Sequence, residues 1–344
     1  MEKNIDIKDF KKTVAKRNFY NTNDAGKVFL FALLLPFVVS LVFSFIGYAI
    51  ARGVGIAFTE GESWIRTLYD NYLWFSIPYA LISQISFICL FFTYNKVNRI
   101  SLKAAKVKFK KINPVVAVIS AVFGIIFVIC LYGLIEGCFG TLFDMWGITT
   151  DPNPIPLNNF GWYVFYVIFF AAVPAICEEL IFRGMIFNGL KRGIGSIWAI
   201  ILSSLLFALI HQNINQFIYP FIMGSVFAIL MNKTNNLIYP ILMHFFNNLT
   251  TVTIQYLMNI GAINLNLTVG AVYVVVSLIL ALVVGVLFFL FYFFYLRKKD
   301  FADSATEGEE YVGKDPIFIG KLPLTMYAGI ALAIIFIVIN AVMG

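Results

Sequence analysis

Long apolar runs alternate along this chain with short polar intervals, most of them basic. Runs of about 20 apolar residues mark helices that cross a lipid bilayer. Nine stand out, over residues 28–50, 72–94, 115–137, 160–189, 196–211, 217–232, 237–258, 269–296 and 323–343. The expected fold class is all-α, a polytopic transmembrane helix bundle of about nine spans, because a helix satisfies its own backbone N–H and C=O groups where no water can. The same pattern divides the chain into a basic N-terminal segment (1–27), a transmembrane core (28–296), a polar linker (297–322) and a C-terminal span (323–344).

Composition agrees with that division. Of 344 residues, 60% are hydrophobic, 17% aromatic and only 12% charged, which excludes an ordinary soluble domain. Basic residues orient the bundle. They gather before the first span (Lys3, Lys8, Lys11, Lys12, Lys16, Arg17, Lys27), after the second (Lys96 to Lys111), after the fourth (Lys191, Arg192), after the sixth (Lys233) and after the eighth (Arg297, Lys298, Lys299). The alternate intervals carry few. This asymmetry predicts a multi-pass protein of the cell (plasma) membrane with its N-terminus in the cytoplasm and its C-terminus outside. The net charge of +7 resides in these intervals, so the expected partners are membrane lipids and not nucleic acid, for which no binding motif is present. Four cysteines, Cys89, Cys130, Cys138 and Cys177, lie in or beside spans without metal-finger spacing and read as packing residues.

Polar groups inside the spans are the candidate chemistry, since an ionisable residue within a membrane is expensive and marks function by default. The first two spans have none in their middles and read as scaffold. Glu136 ends the third span and reads as an interfacial acid, and the following loop holds Asp151-Pro152-Asn153-Pro154-Ile155-Pro156, a stiff connector. The fourth span carries Glu178 and Glu179 side by side. Glu179 and Arg183, four apart with the acid first, have the spacing of a structural ion pair. Glu178, rotated by about 100° and without a basic residue on its own face, should turn to another helix or to a water-filled hollow. The chain's only two histidines follow on later spans, His211 on the fifth and His244 on the seventh, with Asn248 one turn beyond His244 on the same face.

Depth tests whether these groups meet. Glu178 and His211 flank the turn near residue 194 almost symmetrically, which puts both about 25 Å from it, whereas His244 lies only about 14 Å from its own turn near residue 235. A turn buried in protein or lining a cavity would close that gap. If they converge, a carboxylate, two imidazoles and an amide suffice to hydrolyse a peptide bond: Glu178 with His211 activates a water, and His244 with Asn248 donates to the oxyanion. Glu178, His211 and His244 are also the candidate ligands for a metal, zinc in particular, although the His-Glu-x-x-His spacing is absent. A proton-coupled transporter using the same groups as a relay, or a non-proteolytic membrane scaffold, is the rival reading; the chain has no internal repeat of the transporter kind.

The ordered motifs Glu178-Glu179-x-x-x-Arg183-Gly184, Phe207-x-x-x-His211 and His244-x-x-x-Asn248 resemble those of the CPBP intramembrane proteases, also called the CAAX-protease and bacteriocin-processing or Abi family. The resemblance covers about residues 160–255. It implies an eight-helix endopeptidase core, to which this chain adds its basic tail and last span, and it implies Glu178, His211, His244 and Asn248 as catalytic positions with Glu179 and Arg183 in support. It also implies a peptide or lipidated protein as substrate, in CAAX-type maturation or in bacteriocin immunity and processing, and either metal-dependent or glutamate-dependent catalysis.

Overall fold

The computed structural model describes residues 16–58, 63–109, 112–135, 157–214, 217–263, 271–296 and 322–343. Each expected run is a helix. In chain order these are α1 (Thr22–Gly53), α2 (Trp64–Asn71), α3 (Leu73–Val97), α4 (Pro114–Ile135), α5 (Phe160–Ile194), α6 (Ser196–Leu209), α7 (Ile218–Thr234), α8 (Ile238–Asn259), α9 (Ala271–Leu290, continued by a π-helical turn to Leu296) and α10 (Leu324–Met343). The short α2 is the one helix the apolar pattern did not announce, since its amphipathic eight residues lie between two spans. The only extended pairing among the described residues is an isolated parallel bridge between Arg17 and Ile100, so the all-α class holds. Glu136, Cys138, the proline-rich loop and most of the 297–322 linker lie outside the described residues.

Among the described residues six helices are long and apolar enough to cross a membrane: α1, α3, α4, α5, α9 and α10. The other three runs fall short for two physical reasons. Helices α6 and α7, of 14 and 17 residues, reach only about 21 and 26 Å at 1.5 Å per residue, against a hydrocarbon core of about 30 Å. Helix α8 has 22 residues but spends many of them on His244, Asn247, Asn248, Thr250, Thr251, Thr253 and Gln255. Of these helices, the polar α8 carries His244 and the short α6 ends just before His211.

Helix α1 starts at Thr22, inside the basic N-terminal segment of residues 1–27. Asn21 caps it, its side chain accepting from the Asp24 N–H while the Asp24 carboxylate accepts from the Asn21 N–H. Asp24 is buried, yet it accepts from Arg17 Nη2 at 3.0 Å and from the Tyr94 hydroxyl at 2.9 Å. Tyr20 donates to Asn95 at 2.7 Å, and burial pushes its phenol well above the usual range, so it remains a neutral donor. From residue 16 onward the N-terminal segment is thus clamped to the end of α3 and is not a solvated tail.

Two apolar clusters share the interior. One joins α1, α3, α5, α6 and α10 through residues such as Phe29, Phe91, Phe182, Phe207 and Met326. The second joins α4, α7, α8 and α9 through Phe123, Phe227, Met243 and Phe288. The polar groups of the fourth, fifth and seventh runs lie where the two clusters meet. Helices α4 and α8 cross at Gly124, where an added Cβ would run into the Met243 carbonyl and lie 3.2 Å from the Asn247 nitrogen. Gly124→Ala should therefore lower the unfolding midpoint in detergent by an amount typical of overpacking, about 1–3 kcal/mol. Gly53→Ala, where nothing lies within 4 Å, should leave it unchanged in the same titration.

Candidate active site

Helix α5 is not regular. It passes through π-helical turns at Val167–Ala172 and Leu180–Phe187, with the ordinary turn Val173–Glu179 between them. Pro174, which has no N–H to give, opens that ordinary turn. Extra residues in π turns re-aim the side chains beyond them and often accompany functional sites. Here they bracket the paired glutamates.

Glu179 and Arg183 form the expected ion pair, at 2.7 Å and with both side chains fully buried. Desolvating two charges so deeply costs several kcal/mol unless further partners offset it. Arg183 has them. Its Nη2 donates to the Gly224 carbonyl of α7 at 2.9 Å, and its guanidinium lies 4.4 Å from the Phe207 ring of α6 and 5.2 Å from the Phe227 ring of α7. Glu179 has one as well. The same Oε1 that meets Arg183 lies 3.0 Å from His244 Nδ1 on α8. The pair is more than a local salt bridge, because it fixes the histidine of another helix.

His244 is thereby oriented. A carboxylate oxygen only accepts, so Nδ1 carries the proton given to Glu179, and Nε2 is the ring atom left to face elsewhere. The imidazole stacks on Phe227, with centroids 5.0 Å apart. Its Nε2 faces Glu178 Oε2 at 3.8 Å, too far for a direct hydrogen bond, so both atoms keep capacity for another partner. Glu178 turns away from Glu179 as its helical position requires, and its side chain is 12% exposed.

His211 lies just past the end of α6. Its Nδ1 is 2.8 Å from the Phe207 carbonyl, again an acceptor only, so the proton belongs on Nδ1 and Nε2 offers a lone pair. The Phe207 ring stands edge-on to both imidazoles, 5.2 Å from His211 and 5.8 Å from His244. Asn248, one turn beyond His244, is half-buried and makes no hydrogen bond to a described residue. Its neighbour Asn247 is buried and bonds to the Tyr219 hydroxyl and, at 3.5 Å, to the Gly124 carbonyl. Asn247 serves the α4–α8 crossing, and Asn248 is the amide left open.

The depth mismatch is resolved by where the turn before α8 sits. Asn236 and Leu237 are buried, with the Leu237 N–H bonded to the Lys106 carbonyl at 3.0 Å and the Asn236 side chain bonded to both backbone groups of Lys108. The segment after α3 covers this turn, so α8 starts inside the bundle and not at its surface.

Sequence reasoning missed one contact. The second run, α3, was read as scaffold, but its Gln84 donates from Nε2 to Glu178 Oε1 at 3.1 Å. An uncharged amide 94 residues away gives no signal under a search for ionisable groups. A metal was also weighed, with Glu178, His211 and His244 as ligands. Among the described residues no three His, Cys, Asp or Glu side chains are grouped so as to hold a metal ion. Glu178 and His244 oppose each other as a pair, and the third donor does not join them as a zinc set requires.

Removing Arg183 would strand a buried carboxylate. Arg183→Met should lower stability by about 3–5 kcal/mol, and Glu179→Gln combined with Arg183→Met should regain a large part of that loss, measured as unfolding midpoints in a mixed-detergent titration.

Comparison with known proteins places these residues. No curated protein and no solved structure matches the chain. Residues 160–250 match the family model described as type II CAAX prenyl endopeptidase Rce1-like. That stretch spans α5 to α8 and contains Glu178, Glu179, Arg183, His211, His244 and Asn248. Six apolar helices among the described residues and this match make the protein an integral membrane protein, whose residues 160–250 are similar to the type II CAAX prenyl endopeptidase family.

Proposed function

We propose that the chain is an intramembrane endopeptidase in which Glu178 and His211 activate a water and His244 and Asn248 hold the oxyanion, without a metal. The observation that carries this reading is the opposition of Glu178 Oε2 and His244 Nε2 at 3.8 Å inside the bundle, with the Phe207 ring edge-on to both imidazoles and both histidine Nδ1 atoms already committed. Glu178 takes a proton from the water, helped by the free Nε2 of His211, as the oxygen attacks the peptide carbonyl. His244, held by Glu179 through Nδ1, turns Nε2 toward the place where the oxyanion develops and donates to it there as Nε2–H. The Asn248 amide adds a second donor. Collapse of the intermediate breaks the C–N bond, and Glu178 returns the proton to the departing amine.

The substrate class follows from the surroundings and the family. A site inside a bundle of apolar helices suits a peptide already held at the membrane. Lipidated CAAX-type proteins and membrane-processed bacteriocins both meet that description.

Glu178→Gln and His211→Ala should each lower turnover of a quenched, lipidated peptide in proteoliposomes by at least about 100-fold, the scale of a lost general base. His244→Ala and Asn248→Ala should cost about 100- to 1000-fold in kcat, as loss of an oxyanion donor does. Full turnover by Glu178→Gln would reject the mechanism. Treatment with a chelator such as 1,10-phenanthroline should leave the rate unchanged, and elemental analysis of the purified protein should find no stoichiometric zinc; loss of activity restored by added zinc would replace this mechanism with a metal-assisted one.

A further inference from the structure

Gln84 sits eleven residues into the 25-residue α3, at mid-span, and is buried. A polar side chain at that depth must be explained by a partner, because hydrocarbon supplies none. Its Nε2 has one, Glu178 Oε1 at 3.1 Å. Its Oε1 has none, although that atom is fully enclosed. Exchanging the two amide atoms does not help, since a carbonyl oxygen facing a carboxylate is repelled. For stability alone, apolar residues at this place and at that of its partner would serve better, because they would leave no buried acceptor unmatched. The geometry of the glutamate gives Gln84 another purpose. With Oε1 of Glu178 held by the amide, the carboxyl plane is fixed and Oε2 faces His244 Nε2.

We propose that Gln84 is a positioning residue for the hydrolytic reaction: from α3, outside the stretch that bears the family motifs, it holds one oxygen of Glu178 so that the other is presented to the water and to His244. It acts only through Glu178 and touches neither water nor substrate. The inference rests on the hydrolytic role of Glu178 proposed above. Without the amide, the carboxylate rotates freely about its last bond and samples orientations in which neither oxygen is aligned for proton transfer, a loss that falls on kcat and not on binding.

Gln84→Met, of similar length and without hydrogen-bonding capacity, is the test in proteoliposomes with a quenched lipidated peptide. Expected is a ten- to 100-fold fall in kcat with KM within twofold of the parent. Gln84→Glu, which keeps the shape but sets a second carboxylate against Glu178, should fall further, and Gln84→His, which restores an N–H donor near the same point, should recover part of the rate. A second measurement needs no turnover. Unfolding midpoints are compared for the parent, Gln84→Met, Glu178→Ala and the double variant. Because the hydrogen bond exists only with both partners, Gln84→Met should lower the midpoint in the parent and raise it in the Glu178→Ala background, where it merely removes an unmatched buried amide. Parental kcat in Gln84→Met, or the same change of midpoint in both backgrounds, overturns the proposal. A parent that shows the coupling yet cleaves no peptide instead overturns the hydrolytic reading, and with it any catalytic meaning of the bond.

Discussion

The buried ion pair between Glu179 and Arg183 is the constraint on which the rest of the site depends. Its two charges lie wholly out of contact with solvent, so every nearby element must supply something to offset their desolvation. Helix α7 supplies the Gly224 carbonyl, α6 and α7 the faces of Phe207 and Phe227, and α8 the imidazole of His244. An interior built this way has few alternative packings, because sliding any of these helices by a residue would strand a charge. Gly224 shows how close the fit is: a Cβ there would come within 3.0 Å of Arg183 Nη2 and 3.1 Å of the Phe207 ring. The energetic cost of the pair is thereby converted into a fixed direction for His244 Nε2.

The same constraint accounts for the lengths of the helices. A hydrolytic site within a membrane needs water, and water reaches mid-depth only where some helix stops short. Helices α6 and α7 do so, and the turn after α6 is where His211 sits. At that turn Gln212 has a positive φ of 52°, a backbone conformation uncommon outside glycine that breaks the helix there. On the other side, the covered turn at Asn236 and Leu237 lets α8 begin inside the bundle. The sunken start of α8 brings His244 toward the level that Glu178 and His211 already share, and a helix that began at the surface would have left it apart.

Much of this was legible in the amino-acid sequence because membrane chemistry is unforgiving. Apolar run length located the helices to within a few residues at most ends, and the rarity of ionisable residues inside them singled out Glu178, Glu179, Arg183 and the two histidines. The i, i+4 spacing foretold the ion pair of Glu179 and Arg183, and the lack of such a neighbour foretold that Glu178 would turn to another helix. What remained hidden is what no local pattern encodes. Gln84 is uncharged and distant in sequence, the link from Glu179 to His244 crosses 65 residues, and the π turns of α5 leave no compositional mark. Nor did adjacency distinguish Asn247 from Asn248; only the crossing at Gly124 shows that one amide is consumed in packing.

The C-terminal span extends this argument beyond the part of the chain that matches the family. Helix α10 packs along α1, with Gly329 against the Phe29 ring, and an added Cβ at Gly26 would strike Thr325 and Pro323. Near its far end Asn340 donates from Nδ2 to the Gln212 carbonyl at 2.9 Å. An asparagine on an exposed face of a spanning helix is costly unless bonded, and its partner here is the backbone of the residue next to His211. The appended span therefore supports the short α6 where that helix ends, and the turn bearing His211 is braced by a segment that the family motifs do not include.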